Sequence, residues 1–215
     1  MSENKLFMNT SIQAPVVAVS RIRMATDGKG VTTLVCFHGC PLRCRWCINP
    51  FSFAEDTKRD IVTPQKLYDK VRLDELYFLA TGGGVTFGGG EPLLYPDFLR
   101  EFRSICGDAW HLCAETSLSV PWEHVQKAAE CIDMFYIDCK DTDPDIYKSY
   151  TGKDNALMLD NLQKLVALIG TERIVVRVPL IPDYNTDQDR QNSRAVLQRM
   201  GITQFDFFTY KIKKA

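Results

Sequence analysis

Apolar runs of strand length alternate with helical patterns along most of this 215-residue chain, and that alternation restricts it to βαβ units wrapped around a parallel sheet. The strand runs are Val31 to Phe37, Val85 to Phe87, Trp110 to Ala114, Met134 to Asp138, Ile174 to Pro179 and Phe205 to Thr209, with a further strand over Val16 to Met24 ahead of the first unit. Between them, helices are predicted over Thr63 to Leu79, Pro96 to Ser104, Pro121 to Ala129, Ala156 to Leu168 and Asp187 to Met200. Several open on a proline, whose missing N–H costs nothing in a first helical turn. A closed barrel of eight such units takes about 250 residues. The length therefore predicts an α/β fold with an open, partial (β/α)6 barrel in one domain over residues 1–215, residues 1–26 being an N-terminal extension and 27–210 the barrel core.

Composition narrows the partners. With 26 basic against 27 acidic side chains and a net charge of −1, there is no charge excess to drive binding to nucleic acid. No apolar run approaches the length of a membrane span. The first residues, MSENKLFMNTSIQ, are polar and carry no apolar signal core, so a reducing cytoplasm is expected. A monomer is expected, with neither nucleic acid nor membrane as partner.

The chemistry concentrates in GCPLRCRWC, where Cys40, Cys44 and Cys47 follow a C-x3-C-x2-C spacing. Iron–sulfur clusters are normally held by four protein thiolates. Three thiolates in one loop, without a close fourth, suit a 4Fe-4S cube with one iron left to bind something else. A zinc site takes four ligands, usually as two close pairs; the second pair is missing here, and Cys36 with His38 is the weaker way to complete one. Disulfides fit a reducing compartment poorly. Cys106, Cys113, Cys131 and Cys139 lack close ligand spacing and read as small core residues.

Three strand ends carry further candidates. Glycines from Gly88 to Gly90, followed by Glu91, let the backbone approach a ligand and leave carbonyls to accept from an ammonium group, although a glycine run after a strand is usually a turn. Asp138 and Lys140 close the fourth strand as D-x-K, so alternation puts both side chains on one side of it. Barrel strands carry functional residues at their C-terminal face, and a strand-end salt bridge is the bland alternative. Glu115 and Thr116 end the third strand in the same manner.

Taken together, DGKGVTTLVCFHGCPLRCRWCINP, VTFGGGEPLL, AETS, YIDCK and YTGKDNALMLDNLQKL resemble the radical S-adenosylmethionine family and, within it, the activating enzymes of glycyl radical enzymes. The similarity runs from about Asp27 to Tyr210. It implies a partial (β/α)6 barrel of the radical S-adenosylmethionine type, with the 4Fe-4S cluster at its open top and S-adenosylmethionine chelated to the free iron. By resemblance, Trp46 packs on the adenine, where a lone tryptophan would otherwise read as core, and backbone around Ile48 and Asn49 reads the adenine edge. Gly89, Gly90 and Glu91 would bind the amino group, with Glu91 also fixing the strand end. Lys140 would hold the carboxylate, and Asp138 the ligand or a nearby monovalent cation. Glu115 and Thr116 stand where the family has an Asp-Thr pair. Arg177 matches an arginine near the ligand, with a structural salt bridge as an equal alternative.

Two departures concern the substrate entrance. Gly28-Lys29-Gly30-Val31-Thr32 lacks the proline and arginine of the family's G-P-G-x-R segment, and Lys211 stands where a histidine often follows Tyr210, four residues before the end. The partner is therefore expected to differ from the usual one.

The implied reaction passes an electron from the reduced cluster to the sulfonium, releasing methionine and a 5′-deoxyadenosyl radical. That radical takes a hydrogen atom, within the subfamily from the α-carbon of a glycine in a glycyl radical enzyme. With one cluster motif, the electron must come from outside, from a flavodoxin or ferredoxin. The runner-up is a radical S-adenosylmethionine enzyme modifying a peptide or small molecule. A mere cluster carrier has no need of the glycine and Asp-Lys motifs.

Overall fold

In a computed structural model, which describes residues 12–24 and 27–210, the βα alternation becomes one eight-stranded sheet of order β3-β1-β2-β4-β5-β6-β7-β8. The strands are β1 Ala14–Met24, β2 Val31–Phe37, β3 Asp60–Val62, β4 Gly84–Gly89, β5 His111–Thr116, β6 Met134–Asp138, β7 Ile174–Leu180 and β8 Phe205–Thr209. From β2 through β8, leaving out β3, neighbouring strands pair in parallel, which makes the six-unit sheet expected from the sequence. The strand ahead of the first unit, β1, is antiparallel to β2 and carries the short β3 on its far side. Edges β3 and β8 do not pair with each other, so the sheet stays open. Lys211, the basic tail Lys211 to Lys214 and most of the polar N-terminal run lie outside the described residues.

Alternation along each strand divides the two faces of the sheet. Val35 and Phe37, Val85 and Phe87, Leu112 and Ala114, Phe135 and Ile137, and Val176 and Val178 face the helices and are at most 1% exposed. Helix α3 (Pro96–Cys106) packs there: Phe98 meets Phe37 edge-on at 5.5 Å, and Phe102 meets Phe87 edge-on at 5.4 Å. Thr86, Glu115, Tyr136, Asp138 and Arg177 occupy the intervening positions and face the concave side.

The single helix expected over Thr63 to Leu79 is interrupted. Helix α1 (Pro64–Val71), capped by the Thr63 hydroxyl, gives way to a 3-10 turn at Arg72–Asp74 before α2 (Glu75–Thr81). The cause is tertiary. Asp74, 1% exposed, receives Arg21 of β1 at 2.8 and 2.5 Å and the Thr33 hydroxyl at 3.0 Å, so the chain turns to deliver its carboxylate to the sheet. Helices α4 (Trp122–Ala129), α6 (Ala156–Ile169) and α7 (Asp187–Arg199) lie close to their expected bounds. Helix α5 (Pro144–Thr151) was not expected, although its signals are local: Asp143 caps the first turn, Pro144 opens it and Gly152 ends it in a left-handed conformation at φ +76.

Phe87 is fully buried between Phe37 and Phe102, so its truncation leaves a cavity that this packing cannot close. Phe87→Ala should lower unfolding stability by about 3–5 kcal/mol in a urea titration.

Candidate active site

The segment after β2 is held above the sheet by main-chain bonds. Gly39 N–H donates to Ser52 O at 2.6 Å, Arg43 N–H to Thr151 O at 2.9 Å and Arg45 N–H to Tyr150 O at 3.0 Å. The last two acceptors are carbonyls at the C-terminal end of α5, which no helical N–H can reach. Arg43 Nη1 closes the turn by donating to Cys40 O and Leu42 O at 2.6 and 2.8 Å. Cys40, Cys44 and Cys47 thus stand on one braced loop, each half-buried and unbridged. Burial pushes the Cys40 thiol up to about 12, helped by the Glu91 charge. It pushes Cys44 up to about 11, against a downward pull from Lys140.

These thiols form one wall of a cavity of about 520 Å³ whose other walls are the C-terminal ends of β4 to β8. Ile48 and Asn49 line it beside the cysteines, although Ile48 is 74% exposed. Trp46, between Arg45 and Cys47 on the same loop, has its Nε1 buried without an acceptor.

At the end of β4 the glycines are dictated by close packing. Gly89 has φ +84, and a Cβ there would lie 2.5 Å from Cys36 Cβ; a Cβ on Gly90 would lie 2.2 Å from Gly39 O. Only hydrogen atoms fit where β4 passes the cysteine loop. The carbonyl of Gly89, expected to be free for an ammonium group, instead accepts from Asn49 Nδ2 at 3.3 Å and Ser52 Oγ at 3.4 Å.

Glu91 is 1% exposed and spends its carboxylate on the protein. Oε1 accepts from Leu93 N–H at 3.2 Å and the Thr116 hydroxyl at 2.7 Å, while Oε2 accepts from Ser117 N–H at 2.9 Å and its hydroxyl at 2.7 Å. It therefore ties the end of β4 to the end of β5, and the Thr116 hydroxyl is consumed in the same bond. Burial raises the Glu91 carboxyl, opposed by these donors.

The charged candidates meet where β5 and β6 end, level with Arg177 in the middle of β7. Arg177 Nη2 reaches Glu115 Oε1 at 2.6 Å, with Asp138 at 3.8 Å and Asp206 at 3.7 Å around the same guanidinium. Arg177 thus borders the cavity and is the hub of this ion-pair group. Its guanidinium also stands between the two carboxylates that a monovalent cation would use. Lys140 Nζ lies 2.9 Å from Asp138 Oδ2 and 2.8 Å from Tyr210 Oη. Burial alone would raise the Asp138 carboxyl, but Lys140 and Arg177 hold it below its usual range. Burial likewise opposes the Lys140 charge, and Asp138 and Tyr210 outweigh it, keeping the ammonium protonated.

Ser117, Phe208 and Tyr210 border the cavity without having been singled out from the sequence. The signal for the last two was available. Asp206, Phe208 and Tyr210 alternate along β8 as Asp138 and Lys140 do at the end of β6.

A model of the Radical SAM superfamily matches residues 34–194, from within β2 into α7. The chain belongs to the Radical SAM superfamily. It is 30% identical to the (2S)-3-sulfopropanediol dehydratase activating enzyme of Klebsiella oxytoca over 88% of this chain and 80% of that relative. It is 33% identical to the pyruvate formate-lyase-activating enzyme of Clostridium pasteurianum over 76% and 67% of the two chains. Among solved structures, Streptococcus suis SuiB bound to S-adenosylmethionine superposes with a TM-score of 0.62 at 16% identity, over 82% of this chain and 41% of SuiB; at that identity the likeness is one of fold.

Enzymes of this superfamily use a 4Fe-4S cluster and S-adenosylmethionine, and the residues of the cavity suit both. Three unbridged thiols line it, and no other cysteine does. Among the described residues no three metal-binding side chains converge on a single ion. A cluster asks for something else, since each thiolate binds its own iron. On the wall beyond the thiols, Lys140 and Arg177 are ion-paired with Asp138 and Glu115, and this mixed charge suits a ligand bearing both an ammonium and a carboxylate.

Two outcomes test this geometry. Anaerobic reconstitution should load about four irons, and Cys40→Ala, Cys44→Ala or Cys47→Ala should each abolish the visible cluster absorbance while Cys36→Ala retains it. Glu91→Gln sets an amide N–H₂ against either Leu93 N–H or Ser117 N–H, whichever way it turns, and should cost about 1–3 kcal/mol in unfolding stability.

Proposed function

We propose that this enzyme cleaves S-adenosylmethionine reductively and takes a hydrogen atom from a backbone glycine of a partner glycyl radical enzyme. Two relatives carry activating enzyme in their names, and the observation that carries the reading is the combination of their similarity with this cavity. The cluster and S-adenosylmethionine together supply one-electron cleavage of a carbon–sulfur bond, giving methionine and a carbon radical able to abstract hydrogen.

The chain's own residues then have separable tasks. Cys40, Cys44 and Cys47 hold the cluster. Lys140 offers an N–H to the ligand carboxylate, and Asp138 and Arg177 set the charge around it. Asn49 links the adenine side of the site to the Gly89 turn, while Glu91 locks β4 to β5 and so keeps the floor rigid. Phe208 and Leu42 supply apolar wall that limits water at the reacting carbon. The open sheet between β3 and β8 leaves a side through which a loop of a large partner can reach the cavity. The electron comes from a flavodoxin or ferredoxin.

The test is spectroscopic. Reduced enzyme, S-adenosylmethionine and the cognate glycyl radical enzyme, mixed anaerobically, should give an electron paramagnetic resonance doublet that collapses to a singlet when the target glycine carries deuterium at its α-carbon. If no partner yields the doublet while a free peptide or metabolite drives S-adenosylmethionine cleavage, the enzyme modifies that substrate instead and the activating role falls.

A further inference from the structure

An ammonium group has three N–H donors and no acceptor. In Lys140, 7% exposed, one donor goes to Asp138 Oδ2 at 2.9 Å, two residues earlier in the chain, and a second goes to Tyr210 Oη at 2.8 Å, just past the end of β8. All three residues border the same cavity, so the N–H that remains is the one available to a ligand.

What Tyr210 adds is direction. With Asp138 as its sole partner, the lysine head would be drawn fully into that ion pair, and rotation about its last bonds would leave the free donors without a fixed aim. A second partner on another strand removes that freedom. The phenol is itself well held. Tyr210 N–H donates to Leu180 O at 2.9 Å, tying it to the end of β7, and its ring sits 6.1 Å from the Tyr150 ring and 5.4 Å from the Phe208 ring. Lys140 Nζ lies 5.4 Å from the centre of the Tyr210 ring, nearly in line with the phenol C–O bond, so the hydroxyl and not the ring face carries the contact. Tyr150 closes the circle, since its carbonyl carries Arg45 of the cysteine loop.

We propose that Tyr210 is a positioning residue for S-adenosylmethionine: its hydroxyl fixes the Lys140 ammonium against Asp138 so that the third N–H is presented to the ligand carboxylate. This deepens the function proposed above and rests on it. Tyr210 acts through Lys140, so its contribution should vanish when Lys140 is gone, which a role in packing alone would not do.

The experiment is a double-mutant cycle on cluster-loaded protein, reading equilibrium binding of S-adenosylmethionine anaerobically and iron content in parallel. Tyr210→Phe keeps the ring and its packing while removing the hydroxyl. It should weaken binding about tenfold, the size expected for a hydrogen bond to a charged group, with iron content unchanged. In a Lys140→Met background the same substitution should change nothing. Decarboxylated S-adenosylmethionine, which lacks the carboxylate, should bind wild type and Tyr210→Phe alike. Equal binding of S-adenosylmethionine by wild type and Tyr210→Phe overturns the role of Tyr210, as does a tenfold loss that persists in the Lys140→Met background or extends to the decarboxylated ligand. If Tyr210→Phe loses its iron, the hydroxyl is structural and the proposal fails as well. Wild-type protein that binds no S-adenosylmethionine overturns the proposed function itself, an outcome distinct from the others.

Discussion

Parallel pairing of β2, β4, β5, β6, β7 and β8 is the constraint from which the rest follows, because it brings the C-terminal end of every one of these strands to a single rim. Residues that leave one strand end therefore meet residues that leave the next. The cysteine loop follows β2, the Gly89 turn closes β4, Glu115 and Thr116 close β5, Asp138 ends β6 with Lys140 just beyond it, Arg177 lies in β7 level with Asp138, and Tyr210 follows β8. Widely separated stretches of chain become one wall. A single cavity at this rim is the expected place for chemistry in a barrel of this kind.

That rim is expensive to maintain. Buried ion pairs are weak contributors to stability, and a well-packed apolar group in the same place is often as good or better. Yet Arg177 is 15% exposed with three carboxylates around it, and Lys140 is 7% exposed beside Asp138. The protein tolerates the arrangement because each charge has a partner and because the apolar face on the other side of the sheet supplies the cohesion. The concave face is left for polar work. Glu91 shows the division within one segment: it sits beside the glycine turn that faces the cavity, but its carboxylate is wholly engaged in joining β4 to β5.

The cysteine loop is braced rather than free. Its amides hang on the end carbonyls of α5, and its far side is pinned by Ser52 and Asn49 against Gly89. One short helix therefore sets the position of the thiols, and through Tyr150 it also touches the phenol that holds Lys140. Cluster loop and ligand wall are mechanically one unit.

Local pattern in the chain was enough to establish the order of the six parallel strands and most of the helices between them, though not β3 or α5, together with the C-x3-C-x2-C loop, the D-x-K strand end and the glycine turn, because periodicity and spacing express directly which residues share a face. Individual bonding partners were not legible in that pattern. The break between α1 and α2 depends on Arg21, fifty-three residues from Asp74 in the chain. The commitment of Glu91 to Ser117, the filling of the Glu115 and Asp138 pair by Arg177 and the contact of Tyr210 with Lys140 are all of this kind. Each joins residues far apart in sequence or selects one of several orientations open to a side chain. Only the parallel pairing that brings the strand ends to a shared rim determines which of those options is taken.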